Sequence, residues 1–443
     1  MTAQPPPASV TATTAWRWCL RWRPEAVACF VVAGGGAAGF LAAITAAEAG
    51  LGDVHVLEAT AEPLTKVRIS GGGRCNVTHA CWDPVVLVGH YPRGSRALRG
   101  PFSRFAPGDA VAWFADHGVE LITEADGRMF PSSHSSATVV DALRRAARRA
   151  GVQLHSRCAL KAVAPPAAAG EPFGLQLRGD GSAAAPLRCE RLLLATGGHP
   201  SGRALAAGLG HRVLAPVPSL FTLRLNEPRL QALAGLVQEP VGLELQLEGV
   251  ARPFRQRGPL LLTHWGCSGP ALLRLSAFAA RDLAATRYRG QLTVDWTGGL
   301  APTEVHERLR QQRQQHGGRS LGAQRPFEAL RRRLWLALLD QAGLAGDLCW
   351  AALPKAGEQR LLQALVASRY WVEGRGPFGE EFVTAGGVDL GEVNLATMES
   401  RLVGGLHLAG ELLDVDGVTG GFNFQHCWTS GWLAGRAVAS ALG

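Results

Sequence analysis

The sequence has no run of about 18 uninterrupted apolar residues, so it offers no segment able to span a bilayer as a helix. It also lacks a positively charged leader followed by an apolar core and a small-residue cleavage site, which argues against secretion. The 9 cysteines form no Cys-x-x-Cys pair, which excludes a zinc ribbon, and an odd, scattered set gives no disulfide framework. A reducing, cytoplasmic setting fits that usage, and no metal site is expected. Charged residues are scarce, 18% against 47% hydrophobic, and this balance excludes a disordered chain.

What is present is a chain of 443 residues, long enough for two or three domains around a sizeable core. Its net charge of +9 raises the question of a polyanionic partner. The arginine-bearing stretches Arg144 to Arg149 and Arg325 to Trp335 have helical spacing, and solvated helix faces account for them. Residues 1–25 read as a disordered N-terminal extension. Within it, WRWCLRWR (Trp16 to Arg23) interleaves tryptophan with arginine and offers a contact for a membrane surface or an acidic partner. A dispensable tail is the plainer reading.

From Val27 the pattern becomes regular. AVACFVVA (Ala26 to Ala33) is a short apolar run of the kind that forms a central parallel strand. It passes into a glycine turn, then an alanine-rich helix ended by Gly50, then the strand DVHVLE. Gly34, Gly36 and Gly39 satisfy G-x-G-x-x-G, and Glu58 falls where a ribose-binding acid stands in such units. Gly34 permits the tight turn, Gly36 lets a pyrophosphate approach the backbone amides of Gly36, Ala37 and Ala38, and Gly39 lets helix and strand pack closely. Glu58 would accept from a ribose and repel a 2′-phosphate, which favours FAD or NAD over NADP.

FAD is selected by two later blocks. RLLLATGG is a second apolar strand, ending at Thr196, Gly197 and Gly198, and GLHLAGE is a third, ending at Gly410 and Glu411. Asp416, Thr419, Gly420, Gly421 and Asn423 then lead into a final helix whose positive end suits the anionic reduced flavin. No second G-x-G-x-x-G turn is present, so a dedicated nicotinamide domain is not expected. The fold class implied is α/β, a Rossmann-like two-dinucleotide-binding FAD domain built from both chain ends. ISGGGRCNVT, after the acid, would cross the flavin: Ser70, Gly71, Gly72 and Gly73 by close backbone contact, Arg74 by charge, Asn76 by hydrogen bonding. Cys75 reads as packing or flavin contact, with catalysis as the lesser possibility.

The middle of the chain reads as an insertion. Ser219 to His264 alternates apolar and polar residues as half-buried antiparallel strands do, and Ala301 to about Val372 turns to helical spacing. The expected division is residues 26–210 as the first part of the FAD domain, 211–300 as a β-rich domain, 301–375 as a helical subdomain and 376–443 as the second part of the FAD domain. His264 is a candidate acid or base, with a buried structural histidine as the commoner alternative. Asp414 and Asp416 either bind ligand or shape their turn.

The blocks KVRISGGGRCNVT, DGRMFPSS, ATGG, LLLTHWGCSGPALL and LHLAGELLDVDGVTGGFNFQ, with VVAGGGAAG, resemble the BaiN/RdsA-type NAD(P)/FAD-dependent oxidoreductases, in order from about Phe30 onward. These are the aminoacetone-oxidase-like flavoproteins. The resemblance implies a non-covalent FAD, flavin redox chemistry and an inserted domain with β-rich and helical parts. The chain departs from the family pattern after ATGG, where a Gly-Ser-Thr-Gly segment is missing. It departs again before the glycine run, where Gly-Arg-Lys reads Leu64-Thr65-Lys66 and keeps the lysine, Lys66, as a cofactor candidate. The expected activity is hydride transfer between flavin and a small or steroid-like substrate, with NAD(P)H or O2 as second redox partner. The alternatives are an FAD-dependent RNA-modifying enzyme and a non-catalytic FAD-binding redox sensor.

Overall fold

In the computed structural model, residues 27–168, 170–179, 187–377 and 383–443 are described. The Trp/Arg segment and the rest of the N-terminal extension lie outside them. The apolar run becomes β1 (Val27–Ala33), followed by α1 (Ala37–Glu48) and β2 (Val54–Leu57). β3 (Gln153–His155), β4 (Leu187–Leu194) and, near the C-terminus, β11 (Leu406–Leu408) complete a parallel core ordered β3-β2-β1-β4-β11. Both faces are covered, which is why Val31, Val32, Leu192, Leu193 and Leu194 are all apolar and fully buried.

The register sets the site. Ala33 pairs with Leu57 and with Leu194, and Leu194 pairs with Leu408, so the strands finish along one edge. The chain runs outward from β1 to β2 and β3, then returns to β4 on the other side of β1. That reversal is the switch point at which doubly wound sheets open a crevice.

The closing helix, Phe422–Leu442, lies against α1 at backbone distance. A Cβ on Gly431 would stand 2.4 Å from the Ala38 carbonyl oxygen, and one on Gly435 would stand 2.4 Å from that of Ala42. The two N-termini, at Gly36 and Gly421, cap their helices without side chains and line one cavity.

The insertion is a closed barrel. Its strands are β5 (Leu223–Leu225), β6 (Val237–Gln246), β7 (Phe254–Thr263), β8 (Gly266–Ser268), β9 (Gly290–Asp295) and β10 (Ser368–Arg375), ordered β5-β8-β7-β6-β9-β10. Alternation fills it: Val241, Leu243 and Leu245 of β6 point inward with Leu292 and Val294 of β9. Helices Pro302–His316, Arg332–Gln341 and Lys355–Val366 are threaded between β9 and β10 and share the barrel's core through Leu309, Trp335 and Leu361. The barrel therefore ends with a strand that falls inside the 301–375 stretch, where helical spacing stops at Val366. A two-stranded ribbon, Val213–Ser219 with Val383–Val388, carries the chain in and out. The first basic stretch is helical as expected, with Arg145, Arg148 and Arg149 exposed on the helix Ser136–Arg149. The second is helical only at its end: Arg332 and Arg333 are exposed on the helix Arg332–Gln341, whereas Arg325 to Arg331 form turns and extended chain. Among the described residues no helix is long and apolar enough to cross a membrane.

Candidate functional site

A cavity of about 1840 Å³ opens at the strand-end edge and runs to the barrel. Gly34 makes the first turn at φ +121°, where a Cβ would stand 2.3 Å from the Ala195 carbonyl oxygen. Gly39 is fixed by packing, since its Cβ would lie 2.0 Å from the Gly34 carbonyl oxygen. Gly36 differs from both: a Cβ there meets no atom within 4 Å and would project into open space at the helix terminus. Glu58, at the end of β2, accepts from the Gly35 N–H at 3.0 Å with one oxygen and from the Thr60 N–H at 2.7 Å with the other. A bare helix terminus with an oriented carboxylate beside it fits a diphosphate and its ribose.

The glycine run forms the next wall. Helix α2 (Thr65–Gly73) breaks at Ser70, and Gly71, Gly72 and Gly73 follow at φ +57°, +67° and +83°. Three left-handed residues in succession are affordable only for glycine. They turn the chain sharply past the cavity, which Ser70, Gly71 and Gly72 line and Gly73 does not. Arg74 faces away. Its guanidinium pairs with Glu124 at 2.7 Å and lies 4.1 Å over the Phe130 ring. Cys75 points into the core, fully buried, and burial pushes its thiol pKa up to about 12 even though Ser70 hydrogen-bonds it. Asn76 lines the cavity and, with its amide turned to satisfy both neighbours, accepts from the Gly421 N–H at 3.0 Å while donating to the Thr78 carbonyl at 2.9 Å.

The C-terminal blocks close the site from the other side. Gly197, Gly198, Gly410, Glu411, Thr419, Gly420, Gly421 and Asn423 all line the cavity, as do Thr196 and Lys66. Lys66 donates to Glu411 at 2.7 Å, tying the two chain ends across the wall. The Thr196 hydroxyl is turned under the following helix, where a Cβ on Gly202 would overlap it. Asn423 clamps Gly417 with two hydrogen bonds of 2.8 and 2.9 Å. His426, behind Gly410, donates to its carbonyl at 3.3 Å, and burial lowers the imidazole pKa to about 4.

Asp416 does not reach the cavity. It is fully buried, gripped through both oxygens by Arg93, and accepts from the Ser219 hydroxyl at 2.7 Å. Asp414 holds Arg281 with both oxygens, at 2.7 and 2.8 Å. These carboxylates join the sheet to the insertion and shape the turn. His264 is exposed in the turn between β7 and β8 and is absent from the lining. Gly35, Lys161, Arg178, Phe221, Arg224, Arg375 and Cys427 line the cavity without having been read from the sequence. Gly35 had a signal as the variable position inside the glycine turn. The others come from hairpins, barrel strands and a helix interior, where no local motif marks them.

A doubly wound sheet, a glycine turn at its switch point, a ribose-placed acid and two convergent helix N-termini define an FAD-dependent oxidoreductase with a Rossmann-like domain. The fold is shared with the open conformation of a flavocytochrome c3 fumarate reductase, at 15% identity and a TM-score of 0.50 over 95% of this chain and 79% of that one. It is shared too with 3-ketosteroid delta1-dehydrogenase from Sterolibacterium denitrificans, at 12% identity and a TM-score of 0.50 over 93% of this chain and 99% of that one. Residues 28–437 match the family described as HI0933-like protein Rossmann domain, and the chain belongs to it. Among its relatives are the 3-dehydro-bile acid delta(4,6)-reductase of Clostridium scindens, 30% identical over 92% of this chain and 98% of that protein, and the ribosomal RNA dihydrouridine synthase of Escherichia coli, 29% identical over 93% and 98%. The family expected from the glycine, ATGG and TGG blocks is the one found.

Proposed function

We propose that this enzyme carries out two-electron redox chemistry on a small or steroid-like organic substrate, with NADH or NADPH as electron donor. Bound FAD supplies the two-electron redox centre. The Gly36–Ala38 amides hold its pyrophosphate, and Glu58 holds the adenosine ribose. The closing helix directs its positive end, at Gly421 to Asn423, toward the negative charge that develops on reduction. The Lys66–Glu411 pair ties the two chain ends together along the cavity wall. The observation that carries this reading is that one cavity has strand-end glycine turns on one side and the barrel on the other. The steroid-like substrate is supported by the bile-acid reductase relative, which aligns over nearly its whole length.

The test is anaerobic mixing of FAD-loaded protein with NADH and, separately, NADPH, followed by a 3-dehydro-bile acid unsaturated at the 4 and 6 positions. Bleaching of the flavin band by one nucleotide and its recovery on adding the steroid is the expected result. Bleaching without recovery removes the steroid, and no bleaching removes the nucleotide donor.

A second reading, reduction of a base in ribosomal RNA, is favoured by the Escherichia coli relative's nearly equal identity and by the +9 charge. It predicts RNA binding that weakens steeply with salt and a dihydrouridine lost from the ribosomal RNA of cells lacking the protein.

A further inference from the structure

An ordinary single-ligand site occupies about 300–1,000 Å³. The cavity, at about 1840 Å³, has room for a second molecule beside a dinucleotide. Its far wall belongs to the barrel and is made by Phe221, Thr222, Arg224, Ser268, Gly374 and Arg375. The dinucleotide-binding pattern requires none of them.

The barrel's geometry explains how a cation comes to face this space. Leu223 and Leu225 are buried inside the barrel, so strand alternation turns Arg224 between them to the outside. Arg224 is paired in register with Gly374 of β10, and Leu223 with Arg375. A Cβ on Gly374 would stand 3.5 Å from the Arg224 guanidinium, so the guanidinium lies along bare backbone that a larger side chain would deny it. Among the described residues its ion-pair partner is Glu373, at 3.9 Å. That is beyond hydrogen-bond range, and an ion pair this exposed contributes little. Arg224 donates no hydrogen bond among the described residues, so its planar fork is uncommitted. Beside it, Phe221 offers an apolar surface, and Arg375 adds a second cation lying 5.0 Å over the Tyr288 ring.

A guanidinium fork next to an apolar wall matches a carboxylate carried on an apolar body. The cavity's other cations, Lys66, Arg128, Lys161 and Arg178, stand outside the barrel. The barrel wall itself brings only Arg224 and Arg375, a pair suited to one carboxylate rather than to the longer basic track a polynucleotide asks for. We propose that the barrel wall is the substrate subsite and that Arg224 binds a carboxylate of the substrate, with Phe221 against its apolar body. The proposal deepens the reading above and rests on substrate and FAD sharing the cavity.

Cholate and its uncharged methyl ester are the probes, titrated calorimetrically into FAD-loaded protein. The acid binds at least about tenfold tighter than the ester to the native chain. Arg224→Gln weakens the acid about 10- to 100-fold, leaves the ester unchanged and so abolishes the preference. Gly374→Val, which displaces the guanidinium without removing it, does the same, and Arg224→Lys restores part of the preference. The flavin band of each variant reports that its fold is intact. Equal affinity for acid and ester in the native protein overturns the proposal, as does an unchanged preference in Arg224→Gln with its flavin band retained. An RNA oligonucleotide that displaces cholate in an Arg224-dependent way replaces the carboxylate with phosphate and also overturns it. Failure of the native protein to take up FAD overturns the broader reading instead, and the acid-against-ester comparison on that protein still tests the barrel wall.

Discussion

Cys75 looks reactive beside its three glycines, yet the fold turns it into the core with its thiol pKa raised to about 12. At neutral pH it is a protonated packing group. Cys75→Ala is expected to keep flavin content and turnover within about twofold and to lower stability by about 1–2 kcal/mol, read by thermal unfolding and steady-state kinetics. Ser400, His211 and Glu392 reproduce the order of a hydrolase triad, with contacts of 2.9 and 3.0 Å. The Ser400 oxygen also accepts from the Leu402 and Val403 N–H groups at 3.0 and 2.9 Å, and it is buried away from the cavity. A fluorophosphonate reagent should leave Ser400 unlabelled in mass spectrometry of the folded protein. His426 sets an acid limit. Its folded-state pKa of about 4 lies below the ordinary 6.5, so the unfolded chain binds a proton that the folded chain refuses throughout that window. Stability falls as pH drops from about 6.5 toward 4, by at most about 1.4 kcal/mol per pH unit from this residue. Denaturant melts across that range should show a slope to which His155 and His407, whose pKa values burial also lowers to about 4, contribute as well. His426→Asn should reduce that slope by up to one proton's share.

At the scale of elements, the glycines separate folding from binding. Gly36→Ala adds a methyl group to open space at the α1 terminus, so the apo-protein's melting temperature should hold while FAD affinity falls at least about tenfold. Gly39→Ala drives a methyl group against the Gly34 carbonyl and should lose about 1–3 kcal/mol of stability as well as the cofactor. Titrating FAD into each variant, with a parallel melt of the apo-protein, distinguishes the two outcomes. These positions were legible in the sequence because a strand, its glycine turn and the following helix are contiguous, and each glycine's role follows from its place in the turn. The barrel wall was not legible. Phe221, Ser268 and Arg375 reach one surface only after three distant strands close on each other, and β10 is hidden behind a long stretch of helical spacing. Asp416 was misleading for a related reason. Its neighbours in sequence face the cavity, but its own partner, Arg93, lies more than 300 positions away along the chain.

Over the whole molecule, sheet and barrel are joined through charge that water does not reach. Arg93 grips Asp416 from the sheet side and donates to the Ala277 carbonyl of the insertion at 2.8 Å. Removing the carboxylate by Asp416→Ala leaves a buried, uncompensated guanidinium and should destabilise the protein by about 3–5 kcal/mol in denaturant melts. Arg281→Ala, at the neighbouring pair whose arginine is 44% exposed, should cost less, about 1–3 kcal/mol in the same measurement, because it leaves the Asp414 carboxylate without its partner but at the edge of solvent. The assembly of the cradle from both ends of the chain also governs its biogenesis. While the ribosome is still making the barrel, the nascent chain already carries the first glycine turn and its acid, but neither β11 nor the closing helix exists. The Gly431 and Gly435 contacts that seat α1 form last. The whole cradle therefore exists only after Gly435 has left the exit tunnel, and until β11 is made the edge of β4 lacks its partner strand.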